Sequence, residues 1–197
     1  MQKVLSALSV SVDGYITGGD PGPGRGLGDG GMLFGWYFDG DVPSALFDGF
    51  HLSGPSAHVF DSLAGRIGAS LVGRNTYDDS EGFGGGSPHP RTTLVLLSHD
   101  APSSLGARQA LVTTGIEDAV ATAKEAAGDK DVALMGGGVV TAALRAGLVD
   151  ELVLHQVPVL LGGGRPYFQA LPEHVQLRLL DAVPAPGVTH LHYAVER

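Results

Sequence analysis

The stretch "DVALMGGGVV", residues 131–140, runs an apolar segment straight into three glycines and out into a helix former. "DVALM" reads as a short strand covered on both faces, and "VVTAALRAG" as a helix closed by Gly147. A strand whose C-terminal end meets a helix N-terminus is half of a parallel βαβ unit, and open α/β sheets bind ligands along that edge. Glycine lets a ligand approach the backbone and lets the chain take angles barred to other residues. The following helix adds unpaired N–H groups and a partial positive charge of about half a unit. Together these make an anion site that needs no lysine. A tight strand-to-helix turn with no ligand is the plainer reading of these residues by themselves.

The same grammar extends on both sides. Upstream, "IEDAVATAKEAAG" (116–128) has acids in its first turn and Gly128 at its end, as a helix should. Downstream, "ELVLHQV" (151–157) is a further strand. "KVLSALSV" (3–10), "ASLVG" (69–73), "TTLVLLS" (92–98) and "ALVTT" (110–114) read as strands, and "PSAHVFDSLAGRI" (55–67) as a helix. "VQLRLLDAV" and "VTHLHYAVE", joined by "PAPG", predict an antiparallel hairpin that closes the sheet. The expected fold is α/β: one domain over residues 1–197, with a mainly parallel sheet, an antiparallel edge and helices on both faces.

Composition narrows the function. The 197 residues hold 12 Lys plus Arg against 21 Asp plus Glu, a formal net charge of −9, with no clustered cations. A duplex-binding surface is therefore not expected. The absence of cysteine excludes disulfides, thiolate metal sites and a cysteine nucleophile. No apolar span is long enough for a membrane helix, and the first residues read as a strand rather than a signal peptide, so the expected location is cytoplasmic. Eight glycines crowd residues 18–31, a loop expected to cover substrate. Neither a P-loop nor a G-x-G-x-x-G fingerprint is present.

Two more strand ends are compatible with phosphate. "LVGRNTYDD" (71–79) opens a helix with Arg74, a forked donor set, and Thr76, a hydroxyl. "LLSHD" (96–100) ends a strand at Ser98 on the same predicted edge. Three such ends point to a ligand with several phosphates. His190 and His192, at i and i+2, read as solvent-facing strand residues rather than a metal pair, so no metal is expected. Asp13 and, more weakly, Asp39 and Asp41 are candidate proton-handling residues. Asp150-Glu151, at the start of a strand, reads as structural, and "LFGWYF" (33–38) as core or as a lid.

The ordered set S-V-D-G-Y-I (11–16), V-G-R-N-T-Y (72–77), M-G-G-G (135–138), G-L-V-D-E-L (147–152) and P-V-L-L-G-G-G (158–164) resembles the dihydrofolate-reductase-like superfamily. Within it, the chain is most similar to the reductase domain of riboflavin-biosynthesis deaminase-reductases. That resemblance implies an NADPH-dependent reductase on an eight-stranded sheet. Gly73, Arg74 and Thr76 match the phosphate-holding segment, Ser98 a position beside the adenosine 2′-phosphate, and Gly136, Gly137, Gly138 and Val139 the turn under the pyrophosphate. Ala7 and Leu8 should lie near the nicotinamide, and Gly136-Gly137 should carry a cis peptide. The implied acceptor is small and polar, such as 5-amino-6-(5-phosphoribosylamino)uracil or a related heterocycle, and the implied assembly is a homodimer. Two other readings are a silent NADPH-binding regulator and a dihydrofolate reductase, although Trp36 here lacks the Pro-Trp of the latter; flavin-linked reduction is a weaker third.

Overall fold

The computed structural model describes residues 2–196. Ten strands form: β1 (Val4–Ser11), β2 (Val42–Pro43), β3 (His51–Leu52), β4 (Ile67–Gly73), β5 (Thr93–Leu97), β6 (Gln109–Val112), β7 (Asp131–Met135), β8 (Glu151–Val157), β9 (Leu177–Ala185) and β10 (Val188–Val195). Four helices connect them: α1 (Gly54–Arg66), α2 (Arg74–Asp79), α3 (Ile116–Ala127) and α4 (Gly137–Arg145). Eight strands make one sheet in the order β6-β5-β4-β7-β1-β8-β10-β9, parallel from β6 to β8 and antiparallel through the final hairpin. The α/β expectation holds. Local pattern did not reveal the small β2–β3 ribbon or the 3₁₀ turns at Gly28–Tyr37 and Glu81–Gly85.

Each element has a local cause. Ser53 caps α1 by accepting from Ser56 N–H at 3.4 Å, with Pro55 in the first turn. α3 carries Glu117 and Asp118 at its start and Lys124 near its end, both favourable to the helix dipole. Alternating strand residues feed opposite faces: Leu71 and Val95 join the core under α3 and α4, while Val72, Leu94 and Leu96 pack with Tyr77 on the other side. A third cluster, built on Leu33, Trp36, Leu52 and Ala57, lies beneath α1.

At the strand-entry edge, charges lock the sheet. The buried Glu151 carboxylate takes the Lys3 ammonium, Arg66 at 3.0 Å and His192 at 3.0 Å, and Arg66 also grips Asp131 at 2.7 Å. Burial alone would raise the Glu151 pKa, but the Lys3 and Arg66 cations and the His192 hydrogen bond outweigh it and hold the carboxyl below its usual range. Asp150 accepts Val4 N–H at 2.8 Å. The Asp150-Glu151 pair is therefore structural, as its sequence context implies.

Candidate functional site

The opposite edge is open. Val72 pairs with Met135 and Gly73 with Leu97, so β4, β7 and β5 end level, and α2 and α4 start from that line. A cavity of about 1330 Å³ lies along it. That exceeds the roughly 300–1,000 Å³ of a single small-ligand pocket and leaves room for a dinucleotide plus an acceptor.

Its floor is Ala7, Leu8 and Ser9 of central β1. Gly73, Arg74 and Thr76 line one end together with Gly136, Gly137, Gly138 and Val139. Eight of the nine residues singled out for cofactor binding thus meet in one cavity: Ala7 and these seven. Ser98 is the exception. Its hydroxyl turns to the Asp100 carbonyl at 2.8 Å, and its neighbours Leu97 and His99 form the wall instead.

The glycine turn differs from expectation in one respect: every described peptide bond is trans, Gly136-Gly137 included. The chain reverses instead through Gly136 at φ +103°, which other residues rarely adopt. A Cβ there would stand 2.3 Å from Thr76 Oγ1, so α2 and the turn close against each other. The first helical bond of α4 runs from Val140 N–H to Gly136 O at 3.1 Å. The amides of Gly137, Gly138 and Val139 therefore have no partner within the helix, and all three residues face the cavity. This donor set fits a diphosphate.

Arg74 binds Asp78 through Nε at 2.8 Å and the Asp100 carbonyl through one terminal nitrogen at 3.2 Å. It borders both the main cavity and a smaller polar one of about 530 Å³ beside it. Arg165, not foreseen from the sequence, pairs with the Asp79 carboxylate at the same end and donates its backbone N–H to Thr17 Oγ1 at 2.8 Å. The glycine-rich loop arches over this end, with Thr17, Arg25, Gly26, Leu27 and Gly28 on the cavity wall. Gly24 N–H to Glu81 at 3.0 Å and Gly19 N–H to Asp29 at 2.6 Å hold the loop in shape.

The candidate acids do not reach the cavity. Asp13 accepts from Ser11 Oγ at 2.6 Å and from the Leu161 and Gly162 amides at 3.1 and 2.7 Å. The Ser11 hydroxyl, opposed by a smaller desolvation effect and joined by those amides, holds its carboxyl below the usual value, and its work is to pin the 161–162 loop. Asp39 and Asp41 are exposed and line no part of the wall, although Phe38 beside them does. None of these acids is placed to handle a substrate proton.

Titratable side chains on the cavity wall include Tyr37, Asp79, His89, His99 and His155, the last of which sequence reasoning passed over inside an apolar strand. His190 contradicts its expected solvent-facing role: it is 2% exposed, and its Nδ1 lies 2.8 Å from His155 Nδ1. Its Nε2 meets Ser56 Oγ at 3.0 Å, and Ser53 Oγ donates to Ser56 Oγ at 3.1 Å. Trp36 packs on both imidazoles, each centroid 5.0 Å away, and its indole N–H reaches Ser9 Oγ at 3.0 Å. The signal lay in "ELVLHQV": a lone histidine in a strand covered on both faces needs a partner. No group of metal-ligating residues gathers among the described residues.

Burial drives the pKa of both imidazoles well below the ordinary 6.5, helped at His155 by the nearby His190. Two neutral rings sharing one hydrogen bond satisfy each other. The unfolded chain binds protons first as the pH drops through 6.5, so the stability from these sites is complete above that value and declines below it. The urea midpoint is expected to fall between pH 7 and pH 5, and the His155→Gln/His190→Gln double variant to show a shallower fall. An equally steep fall in the double variant would refute the assignment.

With this geometry in view, sequence comparison matches residues 2–190 to the family model described as the RibD C-terminal domain. The chain belongs to that family. No curated protein matches the chain. Among solved structures, the RibD-type neighbours include a putative riboflavin biosynthesis protein from Shewanella sp. PV-4, at 24% identity with TM-score 0.72 and full coverage of both chains. A pyrimidine reductase-like protein from Corynebacterium diphtheriae aligns at 18% identity and TM-score 0.64, covering 100% of this chain and 92% of that one. Enterococcus faecalis dihydrofolate reductase, complexed with NADP(H), aligns at 16% identity and TM-score 0.61, covering 99% and 97%. RibD C-terminal domain membership makes this a riboflavin-type reductase on a dihydrofolate-reductase-like fold. No helix among the described residues is long and apolar enough to cross a membrane.

Proposed function

We propose that this RibD-type domain is an NADPH-dependent reductase that passes hydride to a small heterocyclic acceptor carrying a C=N or C=O bond. The observation that carries this reading is the cavity itself, where three amide donors and Arg74 meet the β1 floor at the strand-exit edge. NADPH, when bound, supplies the hydride. The amides of Gly137, Gly138 and Val139 hold its diphosphate, aided by Thr76. Arg74 offers the guanidinium face not used by Asp78 and Asp100 to the 2′-phosphate. Ala7 and Leu8 support the nicotinamide end, and the 17–31 loop keeps water out.

Reduction also consumes a proton, and in this reading His155, on the cavity wall, gives it. His155 Nε2–H donates to the acceptor, while His155 Nδ1 takes the proton of His190 Nδ1–H across 2.8 Å. His190 Nε2 in turn takes the Ser56 hydroxyl proton across 3.0 Å, Ser53 restores it across 3.1 Å, and Ser53 is reprotonated by solvent water. Each ring ends neutral, with its tautomer exchanged, so no buried charge forms. Ser53 is only half-buried, so the chain of donors leads from near the surface to the cavity.

An NADPH oxidation screen against pyrimidine, pterin and quinone-type acceptors, read as absorbance loss at about 340 nm, tests the function. Cofactor binding without turnover across that panel would favour a regulator. Arg74→Ala is expected to weaken NADPH by about 1.5–3 kcal/mol, the cost of a lost charge-assisted hydrogen bond, and NADH by less. Calorimetric titration of both coenzymes checks it, and equal losses would remove Arg74 from 2′-phosphate recognition.

A further inference from the structure

Six of the chain's seven phenylalanines line the main cavity, and five of them gather away from the phosphate end. Tyr37 stands 4.8 Å from Phe50 and 5.3 Å from Phe60, Phe47 stacks on Phe50 at 5.2 Å, and Phe34 meets Tyr37 edge-on at 5.5 Å. Phe38 lies 5.4 Å from Phe50 and remains 59% exposed, Phe34 43%. Large aromatic surface left uncovered along a cavity is a wall awaiting a ligand.

The charges are elsewhere. The cavity's cations are Arg25, Arg74 and Arg165, and all three also line the smaller cavity beside α2, which no phenylalanine of this wall reaches. Each already has a carboxylate: Asp20, Asp78 and Asp79 respectively. Among the described residues the only acid on the main cavity's lining is Asp79, which Arg165 neutralises. At the aromatic end the polar groups include the Ser9 hydroxyl, the Tyr37 phenol and the imidazoles of His155 and His89. His89 packs 5.4 Å from Phe47, its Nε2 meets the Ala64 carbonyl at 2.7 Å, and burial holds its pKa below the ordinary value. Burial, against a hydrogen bond with Ser9, pushes the Tyr37 hydroxyl up to about 12, so it too stays uncharged.

A phosphate placed there would lose its water and find no cation, a cost that recognition sites avoid by providing Arg, Lys or an amide nest. A flat ring gains instead from offset and edge-on contacts with the wall, and a C=N or C=O at its edge can meet His155. We infer that the acceptor is an uncharged, non-phosphorylated, planar aromatic heterocycle packed against the wall that Tyr37, Phe50 and Phe60 form. The inference rests on the reductase reading for the acceptor's role, but the chamber's preference is measurable without turnover. It sets this chain apart from an enzyme built for a phosphoribosyl pyrimidine.

A matched pair of probes tests it: 2-naphthol and 2-naphthyl phosphate, titrated by calorimetry into the protein with and without NADP+. Naphthol is expected to bind more than about tenfold tighter than the phosphate, because the unpaired anion must be desolvated. Phe50→Ala should weaken naphthol by about tenfold, loss of one aromatic contact and its buried area. Phe34→Arg, on an exposed ring whose replacement leaves the core untouched, should narrow or reverse the preference by giving the phosphate a cation. Naphthyl phosphate binding as tightly as naphthol to the native protein, or no saturable naphthol binding, would overturn the proposal. Failure of NADP+ to bind, with the naphthol preference intact, would sink the reductase reading and leave the chamber's chemistry standing.

Discussion

Replacing His155 by Gln is expected to lower the single-turnover rate of hydride transfer by about a hundredfold, the low end of what a positioned general acid contributes. NADPH affinity should stay within about twofold, since the imidazole lies outside the phosphate-binding end. The physical ground is the continuous donor chain from Ser53 through Ser56 and His190 to the cavity wall, with no link longer than 3.1 Å. Glutamine can still hydrogen-bond, but it cannot exchange tautomers and pass a proton through. Stopped-flow oxidation of NADPH by an acceptor from the screen, run in H₂O and D₂O, separates the possibilities. The native protein should show a solvent isotope effect that Ser56→Ala diminishes. His155→Gln turning over at the native rate would end the relay assignment, and so would an isotope effect indifferent to Ser56.

The second large effect comes from two adjacent glycines that look equivalent in the sequence. A Cβ on Gly137 would stand 2.3 Å from Pro166 O and 2.9 Å from Tyr167 O, both backbone atoms that cannot turn aside. Gly137→Ala is therefore expected to cost about 1–3 kcal/mol or more of stability, as overpacking of a rigid site does. On Gly138 the nearest atom would be Gln169 Nε2 at 3.8 Å, ordinary contact, and the added methyl would project from an exposed residue of the cavity wall. Alanine also favours a helix over glycine by up to about 1 kcal/mol. Gly138→Ala should thus fold at least as stably as the native chain, yet bind NADPH more than about tenfold more weakly, because the methyl occupies space the diphosphate needs. Thermal melts and calorimetry on both variants check the contrast. A Gly138→Ala protein with native coenzyme affinity would mean that α4 does not seat the phosphates.

Element order was legible because its signals are local. Gly128 and Gly147 mark helix ends, acids mark the start of α3, and unbroken apolar runs such as "DVALM" mark strands covered on both faces. The glycine turn was legible too, and Gly73, Arg74, Thr76 and Gly136 to Val139 do converge. Its detail was not: a trans peptide with Gly136 at φ +103° makes the turn, set by how closely Thr76 approaches. Ser98 and Asp13 carried plausible chemistry in the sequence, but nearby carbonyl and amide groups claim their oxygens.

By itself, then, the sequence determined a βαβ chain with a glycine turn at a strand-exit edge, because spacing of apolar residues and glycine placement act over a few residues. Only the tertiary structure decided which side chains face one another. His155 and His190 are 35 residues apart, and Ser56 lies 134 residues from His190. They meet because the crossovers put β8 beside β10, with α1 laid over that side of the sheet. The aromatic chamber arose the same way, from the 28–37 turn, the 47–50 loop and α1 folding onto one another. Such neighbours depend on strand order, which no local periodicity encodes.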